Sequence, residues 1–333
     1  MKANVLITGG TGFLGSEIAR VLVERGHEVD VLARTNADRS LLHGVPVRWR
    51  EGDLLDANAL DSSLERLVAR GRPTWVVHSA AVISYATRDR ELQRRANVEG
   101  TRAVLAACRK QRIDRLLHIS SVVAVGHARA GELLDEDAPY NNAELRCDYA
   151  DTKRAAEELA LAATTELDVV VVNPGAIFGP SPRAPNTVKF LQQLAHGPRL
   201  PYTPPGSLSV VGVRDVAEGC RLALERGRRG RRYLLCESAW TSLESFQFAA
   251  RRLGVAPPRR AAPAALWRAL ELGVTALDTF VPPKLLTPTA VRMLGAHFRF
   301  DSARARSELG WSPAPFEAVL DETIAALRSR GEL

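Results

Sequence analysis

The sequence predicts an α/β fold in which a doubly wound parallel sheet is followed by a smaller carboxyl-terminal region. Short apolar segments alternate with segments of helical period through the first half of the 333-residue chain. Strand, helix and strand repeated in this way form a parallel sheet with helices on both faces. Prolines become frequent after Asn173, which favours shorter elements in the remainder of the chain.

Six short segments rich in β-branched residues are the predicted strands of the main sheet: residues 5–8, 28–33, 45–50, 75–78, 115–119 and 168–172. Apolar residues between them recur with a helical period, which predicts helices at residues 14–24, 58–69, 92–109 and 149–163. Two later segments, residues 208–211 and 232–236, are expected to rejoin the same sheet as further strands.

The composition is that of a folded protein without a nucleic-acid partner. Hydrophobic residues make up 46% of the chain and charged residues 25%, which excludes a disordered or fibrous class. The net charge is +7, but the densest basic run, residues 226–232, contains two glycines and no aromatic residue. Single-strand binders combine basic side chains with aromatic ones, so we expect no nucleic acid to bind.

Cysteine spacing and the amino-terminal segment predict a cytoplasmic protein with no metal site. The four cysteines have neither a CxxC pair nor another spacing typical of metal ligands, which favours free thiols in a reducing compartment. The chain enters its first strand-like segment after only a few residues, and no run of about eighteen uncharged apolar residues follows. We therefore expect neither export nor a membrane span.

A glycine-rich turn joins the first predicted strand to the first predicted helix. Its sequence, TGGTGFLG, occupies residues 8–15. Gly9 would permit a tight bend, Gly12 would let the backbone approach a pyrophosphate, and Gly15 would allow close packing of helix on strand. A glycine-rich turn without a ligand is the alternative, which the position between strand and helix disfavours. The predicted dinucleotide contacts here are Gly9, Thr11, Gly12, Phe13, Leu14 and Gly15.

The end of the second predicted strand indicates which dinucleotide is bound. An acidic residue there would hold the adenosine ribose of NAD, whereas an arginine pairs with the 2′-phosphate of NADP. Asp30 falls inside the strand and Arg34 follows its end, so NADP(H) is favoured over NAD(H); a plain surface arginine is the alternative. Asp53 is expected to meet the adenine. Three small residues after the fourth strand would let the nucleotide pass close to the backbone, namely Ser79, Ala80 and Ala81.

A tyrosine and a lysine four residues apart carry the predicted proton chemistry. Tyr149 and Lys153 lie on one face of a predicted helix, so the phenol and the ammonium can converge. A phenol with its ordinary pKa of about 10 is a poor acid–base catalyst at neutral pH unless a nearby cation lowers that pKa. Ser120 or Ser121, after the fifth strand, could hold the substrate oxygen, or could simply satisfy a backbone turn.

These motifs together closely resemble the extended short-chain dehydrogenase/reductase family, also called the NAD-dependent epimerase/dehydratase family. The matching segments are TGGTGFLG, GDLLD, HSAA, NVEGT, SSVVAVG, YADTK and FDSARARSELGWSP, in the expected order. The resemblance implies a bound nicotinamide dinucleotide and a catalytic set of Ser121, Tyr149 and Lys153, with Lys153 also binding the nicotinamide ribose. It implies further cofactor-side positions at Leu54, Asn97 and Pro174.

The chain departs from the sugar-nucleotide enzymes of that family at two positions. It instead resembles the reductase branch, which includes dihydroflavonol reductases and 3β-hydroxysteroid dehydrogenases. Sugar-nucleotide enzymes have an asparagine where this chain has Ala176, and many have an arginine where it has Leu208. Without these polar groups a nucleotide diphosphate lacks its usual partners. The resemblance therefore implies a small, mostly apolar substrate that is steroid-, terpenoid-, flavonoid- or acyl-like. Its expected contacts are Val82, Ser121, Tyr149 and Ala176.

The expected reaction is the NADP(H)-dependent interconversion of a ketone or aldehyde and an alcohol. An NAD-dependent sugar-nucleotide epimerase or dehydratase is the alternative enzyme. A catalytically idle dinucleotide sensor or assembly subunit is the alternative of another class. Residues 1–172 and 208–236 are expected to form the dinucleotide-binding Rossmann domain, and residues 173–207 and 237–333 the substrate-binding region.

Two surfaces are expected to meet other partners. The apolar residues 261–281 would cap the substrate or make peripheral contact with a membrane. The family resemblance also suggests a homodimer through the helices predicted at residues 92–109 and 149–163. Their alanine-rich faces would allow close helix packing, although packing within one chain explains them equally.

Overall fold

A parallel sheet of seven strands forms the centre of the fold in a computed structural model that describes residues 2–181, 186–197, 201–280 and 286–333. The strands are β1 (Asn4–Thr8), β2 (Glu28–Ala33), β3 (Arg48–Glu51), β4 (Thr74–His78), β5 (Arg115–Ile119), β6 (Val169–Pro174), β7 (Ala176–Phe178), β8 (Tyr202–Thr203), β9 (Ser207–Gly212), β10 (Arg232–Leu235), β11 (Ser238–Thr241), β12 (Arg260–Ala261) and β13 (His297–Phe298). The main sheet runs β3-β2-β1-β4-β5-β6-β10 with every pair parallel. Strand order reverses between β1 and β4, where open α/β sheets bind ligands.

Helices cover both faces of this sheet. They are α1 (Phe13–Glu24), α2 (Ala57–Val68), α3 (Arg90–Gln93), α4 (Gly100–Gln111), α5 (Asp148–Ala162), α6 (Asn186–His196), α7 (Val213–Arg226), α8 (Ser242–Leu253), α9 (Ala264–Phe280), α10 (Pro288–Gly295) and α11 (Phe316–Ser329). Apolar residues of α1 and α7 pack on one face, and those of α2, α4 and α5 pack on the other. The doubly wound α/β fold predicted from the sequence is confirmed.

A second, smaller sheet follows the main one and corrects one expectation. Strand β9, predicted at residues 208–211, pairs with β7, β11 and β13 rather than rejoining the main sheet. The edge beside β6 is taken by β10, which does join the main sheet as expected. Gly175 turns the chain between β6 and β7, and a Cβ there would lie 2.5 Å from the Ser209 carbonyl oxygen, so β7 runs tightly against β9.

Two predicted elements begin or continue differently in the structure. The third strand starts at Arg48 rather than at residue 45, because turns that bond Val45 to Leu42 and Val47 to Val45 occupy the preceding residues. The helix predicted at residues 92–109 is divided by a π-helical segment, Arg94–Glu99, between α3 and α4. Such segments are frequent at functional sites because they redirect one side chain. None of the helices in the described ranges is long and apolar enough to cross a membrane.

Candidate active site

Close backbone contacts shape the glycine-rich turn between β1 and α1. Gly9 has a φ of +74°, which favours glycine, and a Cβ there would lie 2.6 Å from the Ala80 nitrogen at the end of β4. A Cβ on Gly15 would overlap the Gly9 carbonyl oxygen. The Gly12 N–H donates to that same oxygen at 3.0 Å. The roles predicted for Gly9 and Gly15, a tight bend and close packing, match this geometry.

The turn leaves a cradle at the amino terminus of α1. The N-cap residue of α1, Gly12, has no side chain to cap this terminus, and the helix end carries the partial positive charge that favours phosphate. Thr11, Phe13 and Leu14 are half-buried beside it. Because Gly12 carries no side chain, a ligand can approach the backbone closely at this residue. These features fit the pyrophosphate of a dinucleotide.

Strand β2 ends with Arg34 at the surface. Asp30 is fully buried earlier in the strand, where its carboxylate accepts hydrogen bonds from Arg50 at 2.6 Å and from Arg70 at 2.7 and 2.8 Å. Asp30 is therefore engaged inside the protein and does not reach the ligand edge of the sheet. Arg34 is an exposed basic side chain at that edge.

The predicted adenine side lies along the ends of β3 and β4. Asp53 is exposed, and one carboxylate oxygen accepts a hydrogen bond from the Leu55 N–H at 2.9 Å. Leu54 is half-buried against Gly100, where a Cβ would overlap its side chain. The residues after β4 border the glycine-rich turn; two of them are half-buried and the third is exposed, namely Ser79, Ala80 and Ala81.

Ser121, Tyr149 and Lys153 come together beyond the carboxyl end of β5. Ser121 precedes a short 3₁₀ turn, and its side chain lies near enough to the phenol of Tyr149 to affect the pKa of that phenol. Tyr149 and Lys153 are buried one turn apart on α5, and the Lys153 Nζ donates to the Ile119 carbonyl oxygen at 2.6 Å. The neighbouring Ser120 is buried, and its hydroxyl has no hydrogen-bond partner in the described part of the chain.

Burial dominates the electrostatics of this cluster. Loss of water raises the pKa of Tyr149 to about 12, although the neighbouring Ser121 side chain opposes the rise. The same effect lowers the pKa of Lys153 to about 8, against the attraction of the Glu157 carboxylate. That Lys153, aided by an oxidised nicotinamide, lowers the phenol pKa stays a prediction; in the chain alone desolvation dominates and the ammonium bonds to Ile119. At neutral pH the phenol is protonated.

Asn97 holds the loop after β4 against α5. Its Oδ1 accepts a hydrogen bond from the Val82 N–H at 2.8 Å, and its Nδ2 donates to the Val82 carbonyl at 3.0 Å and to the Thr152 hydroxyl at 3.1 Å. Asn97 is buried within the π-helical segment, which explains why the helix is interrupted there. The half-buried Val82 is thereby fixed close to the helix that carries Tyr149.

A buried carboxylate network lies behind the cluster and was not identified from the sequence. Glu157 is fully buried and accepts a hydrogen bond from Asn173 at 2.6 Å. The same Asn173 amide donates to the Ser121 carbonyl oxygen at 3.0 Å. Arg232 approaches the second Glu157 oxygen at 3.1 Å. Glu157 lies four residues after Lys153 on the helix, and this spacing was the sequence signal that could have identified it.

Tyr85 was also missed by the sequence reasoning. Its ring meets the Tyr149 ring edge-on with centroids 6.3 Å apart, and burial raises its phenol pKa. The Thr287 hydroxyl, directly before α10, donates to the Tyr85 carbonyl at 2.9 Å. The carboxyl-terminal region therefore meets the candidate site through the loop after β4.

The predicted substrate side is apolar where the structure describes it. Pro174 is buried at the end of β6, and Ala176 begins β7 half-buried. Ala176 and Leu208 pack against one hydrophobic cluster that includes Phe178 and Phe316. Of the predicted apolar segment 261–281, residue 281 and the side chains of residues 279 and 280 lie outside the described residues. The rest of that segment includes α9.

The hydrogen bonds of His78 join it to neighbouring elements of the fold. The Thr101 hydroxyl donates to the Asn97 carbonyl at 2.6 Å, so it accepts from the His78 Nε2–H at 3.0 Å. The other ring nitrogen then accepts from the Thr8 hydroxyl at 2.7 Å. Burial, together with the positive charge of Lys153, lowers the pKa of His78 to about 3, so the ring is neutral. Across the described ranges, no cluster of three or more potential metal ligands occurs.

Comparison with known proteins fits this geometry. A model of the NAD dependent epimerase/dehydratase family matches residues 5–236. The chain belongs to this family. It is 33% identical over 332 residues to the sterol demethylase protein B of Methylococcus capsulatus, covering 98% of each chain. It is 31% identical over 346 residues to the 4-hydroxy-2-methyl-3-oxo-4-farnesyl-3,4-dihydroquinoline-1-oxide ketoreductase of Stigmatella aurantiaca, covering 98% of this chain and 96% of that one.

The crystal structure of gox2253 extends this similarity to the whole fold. It is 31% identical to this chain, with a TM-score of 0.87 and full coverage of both chains. The family and its reductase members confirm that the protein is a nicotinamide dinucleotide-dependent enzyme of the extended short-chain dehydrogenase/reductase type. The cradle at α1 is the part of this family member that fits the dinucleotide.

Proposed function

We propose that this enzyme interconverts a ketone or aldehyde and an alcohol on a small, mostly apolar substrate, with NADP(H) as the dinucleotide. The observation that carries the proposal is the meeting of half-buried Ser121 with the buried phenol of Tyr149, next to the buried Lys153 at the ligand edge of the sheet. A hydroxyl pair of this kind can hold a carbonyl oxygen and deliver a proton to it.

The apolar surroundings support the substrate class. Ala176 and Leu208 pack in a hydrophobic cluster, and Tyr85 borders the Tyr149 ring. Charged diphosphate groups need basic or polar partners, which Ala176 and Leu208 do not supply. The names of two relatives, a sterol demethylase protein and a farnesyl-dihydroquinoline-oxide ketoreductase, agree with an apolar substrate.

Each residue of the cluster has a distinct task in the reduction. The bound nicotinamide supplies the hydride in reduction and accepts it in oxidation. Tyr149, protonated at neutral pH because burial raises its pKa to about 12, donates the proton to the developing alkoxide. Ser121 orients the substrate oxygen, and its own position is fixed by the Asn173 bond to its carbonyl. Lys153 supplies positive charge beside the reacting oxygen and binds the nicotinamide ribose.

The test is the consumption of NADPH with a panel of apolar ketones, aldehydes and sterol-like compounds. We expect steady loss of reduced nicotinamide absorbance with the wild-type enzyme. Tyr149→Phe should lower kcat by about 100-fold or more while NADPH still binds, because only the proton donor is lost. Tyr202→Phe, at an exposed tyrosine, is the matched control. Full turnover by Tyr149→Phe, or substrate conversion without net nicotinamide change, would contradict the proposal.

The assembly, domain division and compartment are parts of the same proposal. Ala106 is exposed on α4, and Ala103 and Ala155 are half-buried, which supports a homodimer surface along α4 and α5. The remaining alanines of these faces are buried within one chain, at Ala107, Ala156 and Ala160. Because β9 lies in the second sheet, we assign residues 1–172 and 213–236 to dinucleotide binding and residues 173–212 and 237–333 to the substrate. Four free, buried cysteines support a cytoplasmic location.

A further inference from the structure

Helix α9 presents an apolar surface to solvent. Its four leucines are between 39% and 66% exposed: Leu266, Leu270, Leu272 and Leu277. On a helix of 3.6 residues per turn, Leu266, Leu270 and Leu277 fall within about 40° of one another and form a stripe. The exposed positions beside the stripe are small: Ala265, Ala269, Gly273 and Ala276. Single exposed leucines are ordinary, whereas a continuous apolar face marks an interaction surface.

The helix is attached to the enzyme through the face next to the stripe, because Trp267 and Glu271 fall about 60–140° around the helix from the three leucines. The Trp267 indole N–H donates to the Val291 carbonyl at 3.2 Å, and Glu271 pairs with Arg292 at 3.5 Å. Both contacts join α9 to α10. The leucines of the stripe stay between 39% and 64% exposed although the adjacent face of the helix is attached.

Positive charge accompanies the stripe. Arg259 and Arg260 are exposed shortly before α9, whereas the exposed Arg268 lies on the opposite side of the helix, about 160–180° from the stripe. Within the described ranges, these three arginines form no ion pair with a carboxylate. Basic side chains beside an apolar helix face are complementary to a lipid surface with anionic headgroups.

The size of the surface disfavours a second copy of the chain as the partner. Seventeen residues give a helix of about 25 Å. A stripe about 10 Å wide, the diameter of a helix, offers about 250 Å². A stable dimer buries about 800 Å² on each partner. Insertion into a bilayer requires no such minimum area, because acyl chains surround any apolar face that enters the membrane.

We propose that α9 docks the protein peripherally on the anionic surface of a lipid bilayer. The leucine stripe inserts at the boundary between headgroups and acyl chains, and Arg259 and Arg260 contact the headgroup phosphates. Docking also brings the candidate site to the membrane, since α10 bonds to the Tyr85 loop beside Tyr149. The docking does not depend on the proposed reaction and is measured without a substrate.

Flotation of the full chain with vesicles tests the proposal. We expect the protein to float with phosphatidylcholine vesicles that contain phosphatidylglycerol, and much less with pure phosphatidylcholine. Leu270→Gln combined with Leu277→Gln should lower the bound fraction about tenfold, because two inserted side chains are lost. Val68→Gln combined with Leu133→Gln, at residues of 40% and 54% exposure elsewhere, should leave binding unchanged.

The arginines are tested separately. Arg259→Gln combined with Arg260→Gln should remove the preference for anionic vesicles and leave the thermal midpoint and NADPH binding unchanged, which shows that the variants fold. The proposal is wrong if the wild-type protein floats with neither vesicle type, or if the leucine pair can be replaced without loss. It is also wrong if sedimentation shows that the leucine variants convert a dimer to a monomer, since a second copy would then cover α9.

Discussion

At the residue scale, Lys153 places a positive charge where water is excluded. Its ammonium is satisfied by the Ile119 carbonyl and attracted by Glu157, yet burial still lowers its pKa to about 8 from 10.5. The folded state therefore holds this proton less firmly than the unfolded chain does. The charge that the proposed mechanism uses is retained at neutral pH at a cost in stability.

Lys153→Met should raise the free energy of unfolding most at low pH. Below about pH 8, Lys153 is protonated in both the folded and the unfolded state, so the full cost of burying its charge is present. Between pH 8 and 10.5 the folded state loses this proton while the unfolded state keeps it, so the stability of the wild-type protein rises. The advantage of the variant should shrink by about 3 kcal/mol across that window. Urea unfolding at pH 7, 9 and 10.5 measures this. Lys110→Met, at an exposed lysine, should show no such trend, and a pH-independent difference for Lys153→Met would contradict the argument.

Arg34 tests the choice of dinucleotide at the same scale. Because Asp30 is occupied by Arg50 and Arg70, the exposed Arg34 is the charge offered to a 2′-phosphate at the end of β2. Arg34→Glu should weaken NADPH binding by about tenfold or more relative to NADH, since an ion pair becomes a repulsion. Calorimetric titration with both dinucleotides measures the ratio. Arg72→Gln, at the far end of the sheet, is the control; an unchanged ratio for Arg34→Glu would remove the support for NADP.

At the element scale, α5 connects the candidate site to the interior of the sheet. Tyr149, Lys153 and Glu157 follow one another at intervals of four residues, so one face of the helix carries a proton donor, a cation and a buried anion. Glu157 then reaches β6 through Asn173 and β10 through Arg232. These contacts fix the helix face that carries Tyr149 and Lys153 to strands β6 and β10.

Glu157→Gln should affect both stability and the pH profile. Arg232 would lose its buried counter-charge, which lowers the free energy of unfolding by about 3 kcal/mol. Glu157 also raises the pKa of Lys153, so its loss should move the alkaline limb of kcat/KM for ketone reduction to lower pH. Glu158→Gln, at the exposed neighbour paired with Arg154, is the matched control. A destabilised variant with an unmoved alkaline limb would leave Glu157 with a structural role alone.

At the scale of the whole molecule, two proposed surfaces would determine how the enzyme meets its partners. The faces of α4 and α5 are rich in small residues that allow close helix packing, whereas α9 exposes leucines beside unpaired arginines within the described residues. The two faces belong to different parts of the chain. Association through α4 and α5 and docking through α9 can therefore be separated by substitution.

Ala106→Glu tests the homodimer. A carboxylate on the exposed side of α4 would be buried against its symmetry-related copy, so we expect the dimer to dissociate to monomers in analytical ultracentrifugation. Ala325→Glu, at an exposed alanine of α11, should leave the sedimentation coefficient unchanged. A dimer that persists in Ala106→Glu would place the interface elsewhere.

The sequence by itself determined the order of strands and helices, the glycine-rich turn and the spacing of Tyr149 and Lys153. These are local properties: a short β-branched run, a glycine that must adopt a positive φ, and residues one helical turn apart are fixed by nearby chain geometry. The doubly wound fold follows from them because parallel crossovers have few alternatives.

Only the tertiary structure decided which distant groups meet. The pairing of Glu157 with Asn173 and Arg232, the contact of Tyr85 with Tyr149 and the placement of β9 in the second sheet join segments far apart in the chain. It also decided the sign of the Tyr149 pKa shift, which spacing could not predict. Desolvation depends on everything packed around a group, and that information exists only once the chain has folded.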